Sequence, residues 1–493
     1  MPPLSLARAL ELRRQLEGTR AEVFCPGSDD YVRSIRRWSD TCEKEAVTHP
    51  SIHTVYLPIL WTNQFSQGAV VLVHTTSEVA EVIRFCQKNH VDFVVEAGGH
   101  SATGSSSSHG GIVISMTNMR NILTYPTSMT VCVQGGATWD MVNRSTAPHG
   151  LAVVGATASH TGVGGSALGG GFGWLTGKHG LIVDQLLSVK MVLADGSIVE
   201  ASDESNQDLF WAVRGAGQAF GVATEFVFRA HKVPDTLYGG LIYFDVHKLP
   251  QIVEFANRFD ERQDSNSGFF FGFSAPPQIG HTAVFAILFY NGSQSAGEEF
   301  FAPILSLDSL VNRAGMKSYV EMNLITNVDP VPRGRKSIGG TNIMPPLETG
   351  LLWKLYDQFE ETMRIYPRTG DSALVFELLP YGKIVEVPIE NTACANRGPY
   401  YNFGIILCWH DSDLDEKMHA LQRNIISKIH EAQQGHVDDR VMAYPNLAGH
   451  DVSAEKLFGV NLPRLQKLKK KFDQHNVFRK WHDLLAQARS HDV

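Results

Sequence analysis

The chain opens on an amphipathic pattern. In LARALELRRQLEG, apolar residues return every three or four positions among charged ones, which predicts a helix with one buried face. Residues 69–77, AVVLVHTTS, read as a strand running into a helix start. Ser77 is the candidate cap, and Val79, Val82, Ile83 and Cys86 then share one helical face. β-Branched runs follow in VDFVVEAGGH (91–100), GGIVISMTNM (110–119) and TVCVQGGATWDMVNR (130–144), the last passing from strand to helix. Strands alternating with short helices predict an α+β or α/β unit. LLSVKMVLADGSIVEAS (186–202) predicts a hairpin around an Asp195-Gly196 turn, and DLFWAVRGAGQAFGVATEFVFRA (208–230) a short helix, a glycine turn and a strand.

From about residue 234 to 440 the texture changes. The alternating strands LYGGLIYFDV, GFFFGFSA and HTAVFAILFY are interleaved with the amphipathic helices PQIVEFANRFDERQ and LLWKLYDQFEETMRIY. That pattern predicts a second domain, an antiparallel sheet with helices on one face. The tail, 454–490, reads as helical, and its lysines Lys467, Lys469, Lys470 and Lys471 read as a solvated face. One stretch fits neither period. Residues 150–180 hold eleven glycines, too many for a packed helix or an ordinary strand, and suited to close approach of backbone to something else.

The length, 493 residues, corresponds to two or three domains at about 150 residues each. With 43% hydrophobic and 19% charged residues the chain is neither disordered nor fibrous. No run approaches the roughly 20 apolar residues that span a bilayer, so no membrane partner is expected. The net charge of −8, without a basic block, argues against nucleic acid. The start is too charged for a signal peptide, and the six cysteines are scattered, with no zinc-like spacing. Both features predict a cytoplasmic protein with reduced thiols and no metal.

Several chemistries lose ground. A phosphate loop fails because Gly177-Lys178 is followed by His179 and position 172 is Phe. The Gly-x-Gly-x-x-Gly fingerprint fails at Ala167 after Gly162-Val-Gly164, and at Phe220 after Gly215-Ala-Gly217. There is no His-Glu-x-x-His and no Gly-x-Ser-x-Gly. What remains is three strand-bracketed glycine clusters: Gly98-Gly99-His100, the 155–173 run, and Gly215 to Gly221. Each alone is a tight turn; together they suit one extended, phosphate-bearing ligand bound by backbone N–H groups.

The segment VVEAGGHSATGSSSSHGGIVISMTNM resembles the first flavin motif of the vanillyl-alcohol-oxidase / p-cresol-methylhydroxylase superfamily and, within it, of the berberine-bridge-enzyme-like oxidases. GATASHTGVGGSALGGGFGWLTGKHGLIVDQLLSVKMVLADG resembles their second motif and DLFWAVRGAGQAFGVATEF their third. AYPNLAGHDVSAEKLFGVNLPRLQKLKKKFDQHNVF resembles their C-terminal signature, so the likeness spans about 60–480. It implies an α+β, two-domain PCMH-type FAD-binding fold. The FAD domain would be 1–233, the substrate domain 234–440, and 441–493 a C-terminal segment returning to the FAD domain. It also implies FAD bonded through His100. Gly98, Gly99, Ser101, Gly104, Gly155, Ala158, Ser159, Thr161, Gly164, Gly165, Gly169, Gly171 and Asn446 would hold FAD, with Gly221 and Val222 near its adenine end.

Departures from the family pattern sharpen the expectation. A second covalent link in many relatives uses a cysteine where this chain has Ala158, so a single link is expected. The usual Arg or Lys ahead of the Gly-Gly-His is Glu96, which changes the local charge. Thr161 resembles the oxygen-gatekeeper position, and its small side chain favours an oxidase. For catalysis the family's tyrosine after the signature Asn is Leu447 here. Tyr444 survives to orient a substrate, and Glu377, in the apolar strand ALVFELLPYGK, resembles the family's strand glutamate and suits a base. The competing reading pairs Glu377 structurally with Arg397, which follows Asn396 where the family has His. The resemblance thus implies an FAD-linked oxidase that moves hydride from a C–H beside an alcohol or amine of a small, fairly apolar substrate, with O2 as its second partner. Alternatives are a dehydrogenase with another acceptor, a secondary-metabolism flavoenzyme whose oxidation drives cyclisation or dehydration, and a catalytically silent scaffold.

Overall fold

Three short strands buried on both faces, Ala69–Leu72, Phe93–Glu96 and Ile112–Ser115, pair in parallel, as continuous β-branched runs do when covered on both sides. Glu22–Phe24 adds an antiparallel edge, giving a four-stranded sheet. The computed structural model describes residues 3–43, 68–327, 334–433, 443–449 and 451–486. The expected domain boundary near 440 and residues 487–490 of the expected tail helix lie outside them.

The helix Thr76–Asn89 crosses this sheet with Val79, Val82, Ile83 and Cys86 inward, as the periodicity predicts. Its cap is Thr75, a correction to Ser77. Thr75 accepts from the Glu78 N–H, and Glu78 accepts from the backbone of Thr75 and His74. A reciprocal capping box outcompetes a lone serine two residues later. The predicted opening helix is Leu6–Gln15, burying Ala9 and Leu12.

A second, antiparallel sheet takes its strands in the order Ile122–Tyr125, Thr130–Gln134, Val222–Arg229, Leu186–Val192, Ile198–Ser202. Its last two strands are the predicted hairpin, turned at Gly196 with φ +78°. The glycine-rich stretch departs from expectation. It carries the short helices Val163–Leu168 and Thr176–His179, because Val163, Ala167 and Leu168 give the first of them enough side chain to bury.

The third sheet is the predicted second domain. It is antiparallel throughout and eight-stranded. Its main path runs Val311–Asn312, Leu237–Phe244, Ala283–Tyr290, Ser267–Ser274, Ala373–Leu378, Tyr401–Trp409, Arg335–Ile343, with Gly315–Lys317 also beside Leu237–Phe244. Strand alternation sorts its two faces. Phe269, Phe271, Phe273, Leu374, Phe376, Leu378, Phe403 and Ile405 pack under the helices Leu249–Arg262, Thr349–Ile365 and Asp415–Ala432. The other face turns to the N-terminal part of the chain, where Trp174 of the glycine-rich stretch lies 4.4 Å from the Phe270 ring and 5.3 Å from that of Phe289.

The tail returns through Ala454–Phe458 and Leu462–Phe472. Lys469 corrects the reading of its lysines as one solvated face. Fully buried, it donates to the Ala219 carbonyl at 2.6 Å, Asp473 at 2.7 Å and the Phe478 carbonyl at 2.8 Å. A buried ammonium is tolerable when its protons find such partners.

Candidate functional site

Where the strand Phe93–Glu96 ends, the chain turns through Gly98 and Gly99 into His100. A Cβ on Gly98 would stand 2.5 Å from the Gly162 nitrogen, so two of the glycine motifs touch backbone to backbone, and only glycine fits. Between the three sheets lies a cavity of about 390 Å³, within the roughly 300–1,000 Å³ of a usual small-ligand site.

His100 is clamped within it. The Trp38 ring stacks at 5.2 Å and the His160 ring meets it edge-on at 4.6 Å. Burial, then the neighbouring His160 and Lys336, push its pKa down to about 3. The imidazole is therefore neutral and keeps a nitrogen lone pair. His160 bonds through Nδ1 to Asn327 Oδ1 at 2.8 Å, and Lys336 donates to the Trp38 carbonyl at 2.9 Å.

The missing motif cation at Glu96 is replaced from elsewhere in the chain. Arg37 Nη1 donates to Glu96 at 2.8 Å, and its other nitrogens donate to the Ser106 carbonyl. Both side chains are buried, at 1% and 8% exposure. Burial raises the Glu96 pKa while the guanidinium opposes the shift.

Of the residues expected to hold a cofactor, Gly98, Gly99, His100, Ser101, Ala158, Thr161, Gly164, Gly165, Gly221, Val222 and Asn446 line the cavity, together with Glu377 and Tyr444. Gly104, Gly155, Ser159, Gly169 and Gly171, also expected to hold it, lie outside this lining. Ser159 bonds to Asn327, and a Cβ on Gly169 would stand 2.0 Å from Asn446 Oδ1. That absence lets Asn446 donate to the Ser166 carbonyl at 3.0 Å and to the Tyr444 hydroxyl at 2.8 Å.

The sheet supplies the opposite wall through Ile338, Val375, Glu377, Gly404 and Ile406. Glu377 is surrounded by protein and lines both this cavity and a smaller chamber beside it. Its Oε2 has no hydrogen-bond partner, and burial pushes its pKa up to about 8. The competing pairing with Arg397 does not occur. Arg397 donates to both oxygens of Asp184, at 2.5 and 3.1 Å. Tyr444, 4.9 Å from the Phe172 ring, has its phenol pKa raised chiefly by burial, which favours the protonated, hydrogen-bond-donating form.

Behind Glu377 a narrower chamber opens, lined by Phe172, Cys394, Asn396, Tyr400, Asn402 and Tyr444 among others. The sequence reading missed Tyr400, Asn402, Arg37 and Trp38. A signal for Asn402 existed, since it is a polar residue at an inward position of the apolar strand YNFGIILCW. Arg37 and Trp38 lie outside any motif and carried none.

Comparison with known proteins bears on this geometry. The profile of an FAD binding domain matches residues 68–202, and that of berberine and berberine-like proteins matches 443–482. The FAD-linked oxidoreductase pgmH of Aspergillus terreus is 32% identical over 490 residues, covering 96% of this chain and 94% of that protein. An FAD-linked oxidoreductase of Dictyostelium discoideum is 27% identical over 472 residues, covering 94% of each. Among solved structures, BBE-like 1 of Physcomitrella patens superposes with a TM-score of 0.79 at 18% identity, covering 96% of this chain and 98% of that one. 6-Hydroxy-D-nicotine oxidase of Arthrobacter nicotinovorans gives 0.78 at 20% identity, covering 94% and 98%. The two-domain fold is thus shared, and the chain belongs to the berberine-bridge-like family of FAD-linked oxidoreductases.

Proposed function

We propose that this FAD-linked oxidoreductase is an oxidase that holds FAD through one covalent bond to His100 and removes hydride from a C–H beside an alcohol or amine of a small, fairly apolar molecule. The observation that carries the reading is the meeting, in one cavity, of a neutral desolvated histidine and an unpartnered buried carboxyl, Glu377. The cavity fits the cofactor in extent, running from Val477 and Trp481 past exposed glycine backbone to the sheet face. FAD, when bound, supplies the hydride acceptor and passes electrons on to dioxygen, giving hydrogen peroxide.

The protein's own groups do the rest. Glu377 takes the proton from the substrate heteroatom, for which a carboxyl pKa near neutrality is well matched. Tyr444, pinned by Asn446, orients the substrate as a hydrogen-bond donor. Ile338, Val375 and Ile406 give the substrate an apolar wall and keep water out. Thr161 donates its hydroxyl to the Ala158 carbonyl at 2.7 Å, so it behaves as a small valine-like side chain and supports access of O2. Ala158 offers no thiol for a second link. None of the six cysteines is joined in a disulfide, which suits the reducing cytoplasm expected from the sequence.

The test is acid precipitation of the yellow protein. Flavin fluorescence should stay with the denatured pellet and be lost in His100→Ala, and substrate turnover in air should release peroxide. Flavin in the supernatant of the unaltered protein overturns the covalent link. Reduced flavin that persists in air, yet reoxidises with a dye, makes the protein a dehydrogenase.

A further inference from the structure

We propose that Lys336 is a buried, unneutralised cation that raises the reduction potential of the flavin bound at His100. The inference rests on the FAD reading of the cavity and adds to it a charge that makes the bound cofactor a stronger oxidant.

Four lysines or arginines are buried among the described residues: Arg37, Lys336, Arg397 and Lys469. Arg37 is paired with Glu96, Arg397 with Asp184 and Lys469 with Asp473. Lys336 alone forms no ion pair among the described residues. Its ammonium donates to the Trp38 carbonyl at 2.9 Å and lies 5.1 Å from the centre of the Trp38 ring. Those contacts hold a cation without cancelling its charge. An uncompensated buried charge is costly to keep, so its place beside a cofactor cavity points to a use.

Several contacts fix it there. Lys336 lies on Arg335–Ile343, the last strand on the main path of the third sheet. Residues 39 and 40 cover the outer edge of that strand. The Ser39 hydroxyl accepts from the Lys336 N–H and donates to its carbonyl, both at 2.7 Å. The Asp40 N–H donates to the Gly334 carbonyl at 3.1 Å, and the Asp40 carboxylate accepts from the Gly334 N–H at 2.9 Å. The same segment reaches back to the flavin motif. The Trp38 N–H donates to the Gly99 carbonyl at 3.1 Å, and the Trp38 ring stacks on His100. Trp38 thus touches both the ammonium and the imidazole. Strand alternation places Lys336 on the same sheet face as Ile338, which lines the cavity. Lys336 itself is not part of that lining, so it acts through its field and not by contact.

The reaction gives that field its direction. Hydride from the substrate brings two electrons and one proton, hence one net negative charge, to the flavin site. A nearby cation favours that state over the oxidised one. The same charge helps to keep His100 and His160 in their neutral forms. A unit charge felt across about 10 Å at an effective dielectric of about 20 shifts such an equilibrium roughly tenfold.

The test is an anaerobic titration of the holoenzyme against a dye of known potential, with the ratio of reduced to oxidised flavin read from the visible spectrum. Lys336→Met should lower that ratio at least about tenfold at a fixed dye ratio, about 30 mV for a two-electron couple. Lys336→Gln keeps a donor for the Trp38 carbonyl and should fall as far, so it carries the test if Lys336→Met does not fold. Lys336→Arg keeps the charge and should stay within about threefold of the unaltered protein. An unchanged ratio in a folded neutral variant, or an arginine variant that falls as far as the neutral ones, overturns the proposal. Acid precipitation of each sample follows the covalent bond separately. If a neutral variant releases its flavin, His100→Ala becomes its reference, and a fall no larger than that of His100→Ala also overturns the proposal. Acid-released flavin in the unaltered protein removes the covalent link and leaves this test in force. A colourless protein loses the flavin reading and this inference with it.

Discussion

Glu377 stands on a strand whose alternate residues, Leu374, Phe376 and Leu378, are buried under helices, while its own side faces the cavity. Because burial pushes its carboxyl up to about 8, the anion that accepts a proton is the minor form at neutral pH. We expect kcat/KM to rise about tenfold per pH unit toward 8 and then level. Glu377→Gln should lower kcat by about 10²–10⁴-fold while the flavin spectrum is retained. A flat profile below pH 8, or near-normal turnover in the glutamine variant, would remove Glu377 as the base. The same shift acts on stability with a definite sign. The fold favours the protonated acid, so this contribution is fully present below the ordinary value of 4.5 and is lost as pH rises through 8. This residue was legible as an acid interrupting an apolar run. Its missing partner was not, because Arg397 stood as a competing partner until the fold gave that arginine to Asp184.

At the scale of elements, local patterns were read well where one competing interaction was absent. The hairpin at Gly196 and the alternation of the third sheet follow from period and turn chemistry alone. The helix start at Thr75 and the inward Lys469 were misread because each is decided by a partner, Glu78 in one case and Asp473 with two carbonyls in the other. Arg37 and Glu96 are an extreme of the same kind, 59 positions apart and joined in the interior at the end of a flavin-motif strand. Removing one partner leaves a buried uncompensated charge. Arg37→Ala should therefore cost about 3–5 kcal/mol, seen as a marked fall in the thermal midpoint. The double variant Arg37→Met with Glu96→Leu should recover most of that loss, since a buried pair is often replaceable by apolar groups of similar volume. If Arg37→Ala melts like the unaltered protein, the pair does not hold the motif in place.

Across the whole molecule, the FAD-binding part and the substrate sheet meet near a second histidine cluster. His179, at the end of the glycine-rich stretch, stacks on His231 with ring centres 3.6 Å apart, just before the chain passes into the third sheet. Gln185 ties the two together, its Oε1 accepting from His231 Nε2 at 2.7 Å and its Nε2 donating to the His179 carbonyl at 2.5 Å. Burial lowers both imidazoles to about 4. For His179 the next causes are His231, Lys178 and Lys383, and for His231 they are Arg229 and Lys178. No carboxylate appears among these causes, so every charge in them resists protonation of the pair. The unfolded chain binds these protons near 6.5, whereas the folded one does so only near 4. Their contribution is therefore complete above pH 6.5 and is lost as pH falls toward 4, opposite in sign to that of Glu377. The thermal midpoint should thus fall through that window. His179→Phe with His231→Phe should keep the stacked geometry and make the acid-side fall shallower, the remainder belonging to His100 and His160, whose pKa values burial also lowers. A double variant that loses stability with acid as steeply as the unaltered protein would place the acid sensitivity elsewhere, and the joint between the two parts would then owe nothing to this stack.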